Sequence, residues 1–179
     1  MRRPKSLPIL ATLMVLTQCA PPAPPVPAPP PPAPAPPPAL PPVNWRDAPL
    51  TPGGWSYRAE AMTSMAIFVT AANAPVFSVR CERRTRSISL NRSLPASPAA
   101  AVTIRVITTF GDGQWPAAVD PARPVLTASL AATDPFLDKL AYSLGRFMIE
   151  APGTEPIILP AQPEVARVIE DCRSDGSMR

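Results

Sequence analysis

The chain has 179 residues, 30 of them proline, three cysteines and no histidine, and its 17 basic and 13 acidic side chains give a net charge of +4. The absence of histidine excludes imidazole-based triads and histidine-ligated metal sites. Arg2, Arg3 and Lys5 stand at the very start, leaving 14 basic against 13 acidic residues in the remainder, so the pI near 9.4 does not describe a nucleic-acid-binding surface.

The three leading cations precede an apolar run from Leu7 to Thr17, broken by Pro8. A membrane-spanning helix needs about 20 apolar residues, so this run has instead the length of a secretory signal core. Leu16-Thr17-Gln18-Cys19 follows, and Pro21 and Pro22 then obstruct ordinary signal cleavage. The arrangement resembles the lipobox of bacterial lipoproteins, with Gln18 where a small residue is usual. That resemblance implies removal of residues 1–18 as a signal peptide, lipid on Cys19, and a place in the cell envelope of a Gram-negative-type bacterium. Ala20 and Pro21 lack the aspartate associated with inner-membrane retention, which favours the periplasmic face of the outer membrane. The alternative is a plain signal peptide with an incidental cysteine.

Residues 19–43 form a Pro/Ala-rich tether, and Pro21 to Pro42 holds half of the 30 prolines. Proline lacks the backbone donor and restricts the residue before it, so neither helix nor sheet is expected there. Extended polyproline II at ~3.1 Å per residue makes this a semi-rigid spacer of roughly 70 Å. A docking site for a polyproline-binding partner is the other use of such a run.

Residues 44–173, about 130 in all, suffice for one β-rich domain with a single core, followed by a disordered tail at 174–179. Pro49, Pro52 and Gly53-Gly54 lead into a first strand near Trp55 to Glu60. Met65, Ile67 and Val69 share one face of the next strand, with Ser64, Ala66 and Phe68 on the other. Phe77, Val79 and Cys81 then face inward, Glu82 to Thr85 turns the chain, and Ile88 and Leu90 return opposite, which completes a hairpin. Val102, Ile104 and Val106 form a longer strand ending near Phe110, where Gly111-Asp112-Gly113 signals a turn. Val125 to Ala131 is a further strand. Asp134-Pro135 opens a short helix carrying Leu137, Leu140, Ala141 and Leu144 at helical spacing. Strands at Phe147–Ile149 and Ile157–Leu159 follow. Pro163 opens a closing helix in which Val165, Val168, Ile169 and Cys172 make one apolar stripe.

This pattern predicts a mainly β fold, an antiparallel sandwich or partly open barrel with a short crossover helix and a C-terminal helix. Cys81 and Cys172 both face the core of an exported protein, where disulfides persist, and are expected to pair; two buried thiols are the alternative. An inner-face cysteine, a late strand and a helix ending in cysteine resemble periplasmic sandwich proteins of the invasion-associated locus B type. The likeness covers the C-terminal third and carries no functional residue across.

No catalytic residue, metal site or cofactor is expected. With one cysteine lipidated and two paired, no thiol nucleophile remains, and no serine sits in a G-x-S-x-G or S-x-x-K setting. A carboxylate-dependent hydrolase acting on envelope glycan is the enzymatic alternative, with Glu170 and Asp171 or Asp134 and Asp138 as its acids. The remaining cluster is Arg80, Arg83, Arg84, Arg86 and Arg92 around the hairpin. Guanidinium groups grip phosphate and carboxylate through paired hydrogen bonds, so Arg80, Arg83, Arg84 and Arg86 are candidates for an anion-binding site; a solvated turn that protects a sheet edge is the other reading. The expected activity is that of a non-enzymatic binding or structural module. It would be held at a membrane by its lipid and would contact an anionic envelope polymer or an envelope protein.

Overall fold

A computed structural model describes residues 44–96, 102–120 and 122–174. The leader, Cys19, the tether and residues 175–179 lie outside them. The described residues form nine strands: β1 (Gly53–Ala59), β2 (Thr63–Thr70), β3 (Pro75–Glu82), β4 (Ser87–Ser93), β5 (Val102–Thr108), β6 (Gly111–Val119), β7 (Val125–Ala131), β8 (Arg146–Glu150) and β9 (Ile157–Pro160). Two helices accompany them, α1 (Phe136–Ala141) and α2 (Pro163–Arg173). All strands join one antiparallel sheet in the order β1-β2-β3-β4-β7-β6-β5-β8-β9, curled into a half-barrel. Of the two architectures the sequence allows, this is the partly open barrel.

The concave face holds the core. Phe68, Phe77 and Phe147 are buried there, and the half-buried indole of Trp55 packs against them, its ring 5.4 Å from that of Phe68 and 6.2 Å from that of Phe147. On α2, the stripe Val165, Val168, Ile169 and Cys172 is buried as the periodicity predicts. That helix packs against the concave side of β2 and β3, and Cys172 is joined to Cys81 by a disulfide.

Register decides which face of β2 points inward. Phe68 stands opposite Phe77, Ala66 opposite Val79 and Ser64 opposite Cys81. Ser64, Ala66 and Phe68 are therefore the buried set, while the more apolar Met65, Ile67 and Val69 lie on the convex side. Small residues at 64 and 66 leave room for α2 and the disulfide beneath it.

Two segments differ from the sequence expectation. The turn after β5 is Thr109-Phe110, since Thr108 pairs with Gly111, and Gly111-Asp112-Gly113 begins β6 instead of forming the turn. An added Cβ at Gly113 would run into the Trp115 ring and come within 2.9 Å of Phe136, so glycine is required there by crowding. The helix α1 stops at Ala141, and Leu144 is 69% exposed rather than part of its apolar face. Ser143 Oγ ends that turn by donating to the Arg146 carbonyl and accepting the Thr109 N–H.

The two sheet edges are bridged by the segment leading into β1. Thr51 N–H donates to the Ile158 carbonyl at 2.8 Å, and Ile158 N–H donates back to Thr51 Oγ1 at 3.2 Å. Arg146 donates to the Ala48 carbonyl, and Trp55 Nε1–H reaches the Pro160 carbonyl of β9 at 2.9 Å. The seam is thus a few hydrogen bonds backed by one indole, not a full strand ladder.

Candidate functional site

The hairpin arginines do not form one cluster, because strand alternation and the turn send them to different surroundings. Arg83, at the β3–β4 turn, donates to the carbonyls of Glu60 and Ala61 and lies 3.6 Å from the Asp171 carboxylate. It ties the β1–β2 turn to α2. Arg86 takes a left-handed backbone conformation (φ 50°) and donates to the Arg173 carbonyl near the end of α2. Arg92 points inward and is 6% exposed, donating to the carbonyls of Val76, Ser93 and Glu155. Burial holds its guanidinium below the usual arginine range, and its Nε is without a hydrogen-bond acceptor. These three side chains hold the fold together.

Arg80 and Arg84 remain exposed, and neither has an ion-pair partner among the described residues. Arg80 sits on the convex face of β3, where register adds a residue that the sequence reading did not select. Arg58 of β1 pairs with Met65 of β2, which pairs with Arg80. The two arginines therefore flank Met65 across three strands, and with Glu60 and Thr63 they line a hollow of about 70 Å³. Glu60 accepts a hydrogen bond from Thr63 Oγ1 at 3.2 Å. Arg58 was legible only as the outward partner of Trp55 and Tyr57 in an alternating strand. Its approach to Arg80 depends on pairing that no local pattern reveals.

The same row continues as Ser89 and Ser129 on β4 and β7. The next row carries Ser56, Ile67, Ser78, Asn91 and Thr127. Asn91 joins its neighbours, donating to Ser78 Oγ and Ser89 Oγ at 3.3 Å and accepting from Thr127 Oγ1 at 2.9 Å. Because Ser78 and Ser89 accept from Asn91, their own O–H groups stay available as donors. Both helices lie on the other side of the sheet, so this convex, hydroxyl-rich face is uncovered among the described residues.

A second region lies where α2 meets β1. A cleft of about 500 Å³ is lined by Tyr57, Pro163, Glu164, Ala166, Arg167 and Glu170. The Arg167 guanidinium stacks 4.3 Å from the centre of the Tyr57 ring, and the Tyr57 hydroxyl donates to Asp171. Burial first, then the Asp171 hydrogen bond and charge, push the Tyr57 phenol above its ordinary value.

Each pair of acids expected for hydrolysis has at least one member engaged in the fold, while Glu170 lines the cleft beside Tyr57. Asp171 serves Tyr57 and Arg83, Asp138 pairs with Arg173, and Asp134 accepts the Phe136 N–H at the start of α1. Among the described residues no group of three or more cysteine, aspartate or glutamate side chains is placed to hold a metal ion, and no helix is long and apolar enough to cross a membrane. No protein-family model matches the chain, and neither does any curated protein or solved structure.

Proposed function

We propose that this chain is a lipid-anchored envelope protein whose half-barrel is a binding module displayed on a proline spacer. Cys19 carries the lipid, the periplasmic face of the outer membrane is its seat, and an anionic envelope component is its partner. The observation that carries the reading is the convex face of β1-β2-β3-β4-β7, which is uncovered among the described residues, carries a row of hydroxyl groups, and brings Arg58 and Arg80 together with Glu60 as the one acid in their hollow. A barrel whose only role was structural would have no need to keep Arg58 and Arg80 together over a hollow. The sequence order of lipobox, spacer and domain supports the anchoring half of the proposal. Asp171, Asp138 and Asp134 are engaged in ion pairs, a hydroxyl contact and a helix start, so neither pair of acids that hydrolysis would require keeps both carboxylates unengaged, which supports binding over catalysis.

Two measurements test it. Cys19→Ala should abolish labelling by radioactive palmitate and shift the chain from membrane to soluble fractions, or leave residues 1–18 uncut; full membrane retention of the processed variant refutes the anchor. The wild-type chain should also retain purified envelope material in a pull-down that weakens with salt, since exposed charges are screened over ~8–10 Å near physiological ionic strength. Failure to retain any envelope fraction at low salt refutes the binding role.

A further inference from the structure

We infer that the Arg58–Met65–Arg80 hollow, with the serine row beside it, is the docking site for a linear glycan bearing carboxylate groups. The inference deepens the binding reading above and rests on it for the biological source of the ligand, but the chemistry of the site is argued from its own geometry. Arg58 and Arg80 stand on β1 and β3 with Met65 of β2 between them, two strand spacings or about 10 Å apart at the backbone. Their side chains converge on one small hollow. Two planar guanidinium groups converging in this way offer paired donors to a carboxylate from both sides.

Glu60 narrows the choice. It lies in the same hollow with one oxygen engaged by Thr63, leaving one excess positive charge for two arginines. A densely charged polyanion would bring several negative charges against Glu60, whereas a polymer with one carboxylate per one or two sugar units would not. Half-buried Met65 gives the floor an apolar patch for a sugar C–H face. Ser89 and Ser129 extend the same row across β4 and β7, where the spacing of ~4.8 Å between strands places hydroxyl donors along the path of an extended chain. The Asn91 bond to Ser89 orients the first hydroxyl of that row before any ligand arrives. A hollow of about 70 Å³ beside an open row of hydroxyl groups suits a long ligand held by its charge at one point and contacted weakly along the row.

The experiment uses the full chain purified in mild detergent, with alginate as the acidic glycan, dextran as a neutral glycan and polyphosphate as a dense anion without sugar. Wild type should retain alginate, with retention falling as salt rises, and should retain little dextran or polyphosphate. The double variant R58Q/R80Q should bind alginate roughly tenfold less well, a loss of about 1.4 kcal/mol, as fits two solvent-exposed charge pairs. Its thermal melting should be unchanged, because neither arginine makes a hydrogen bond within the described fold. Ser129→Glu, which sets a carboxylate on the same row, should also weaken alginate binding, and Arg84→Gln, away from the hollow, should not. Equal binding by wild type and R58Q/R80Q overturns the assignment of the site, and polyphosphate binding as strong as alginate binding overturns the choice of glycan. The two readings fail differently. If envelope material is captured equally by wild type and R58Q/R80Q, the binding module stands and this site falls. If alginate binding depends on Arg58 and Arg80 while no envelope fraction is captured, the site stands and its role in the envelope falls.

Discussion

Opening the Cys81–Cys172 bridge is the most informative perturbation of the fold. The two cysteines are 91 residues apart, so in the unfolded chain the bridge closes a long loop. On the chain-entropy model a loop of that length stabilises the folded state by about 4.6 kcal/mol at 25 °C. A domain of this size has a total stability of ~5–15 kcal/mol, so the bridge supplies a third of it or more. Cys81 and Cys172 are 0% and 1% exposed, and alanine at both sites would add the cost of two vacated sulfur positions. Reduction of the native chain avoids that, because the thiols keep their volume. The reduced protein should remain folded, held by Val165, Val168 and Ile169 of α2, and its urea midpoint should fall by about 2 M for a slope of ~2 kcal/mol per M. Urea titration followed by tryptophan fluorescence, with and without reductant, measures the shift. A reduced chain that unfolds at the same urea concentration would refute the argument, since loop closure would then add nothing.

Replacing Arg92 by methionine should destabilise the domain by about 2 kcal/mol, because the carbonyls of Val76 and Ser93 lose a buried donor; a gain in stability in urea would show that desolvation of the guanidinium outweighs its hydrogen bonds. Gly113→Ala should cost ~1–3 kcal/mol through the collision with Trp115 and Phe136, read as a lower melting temperature, and an unchanged melt would mean that those rings yield freely. Tyr57 and Tyr142 are the chain's two tyrosines, so in a Tyr142→Phe variant the ultraviolet phenol titration reports Tyr57 alone. Its midpoint should lie above the ordinary tyrosine value and fall when Asp171 is replaced by asparagine. With the folded value raised, the contribution of Tyr57 to stability is complete below the unfolded value and is lost as pH rises through the folded one, so its effect belongs to the alkaline limb.

How much of this was legible in the sequence depended on how local each signal is. The stripe on α2 and the β3–β4 hairpin follow from periodicity within a dozen residues, and the disulfide follows because both cysteines fall on those inward faces. Strand β6 was hidden because Gly113 and Pro116 interrupt it, although Gly113, Trp115 and Ala117 alternate inward. The inner face of β2 was not decidable locally: Met65, Ile67 and Val69 are the more apolar set, and only the pairing of Ser64 with Cys81 and Phe68 with Phe77 turns the strand the other way. The arginines were visible as a group, but their chemistry was not. Arg83, Arg86 and Arg92 are spent on backbone carbonyls contributed by distant segments, and the partner of Arg80 lies 22 positions upstream, brought alongside by register.

The seam between the segment at Ala48–Thr51 and β9 has a mechanical consequence. Any tension arriving along the N-terminal side of the chain enters the domain at that seam, where the bonds from Thr51 to Ile158 and from Arg146 to Ala48 meet it one after another. Bonds loaded in succession peel at lower force than bonds loaded together, so the seam opens before the sheet shears. Past it, Trp55 grips Pro160 as a first stop, and β1 and β2 are the next to strip away. When the opposing hold lies beyond Cys172, extension runs through β3 and halts at Cys81, because the bridge to Cys172 then takes the load directly and the 91-residue span between them cannot be drawn out. A pull on the chain therefore has a short, defined travel, with strands β4 to β9 kept inside a covalent loop that tension does not lengthen.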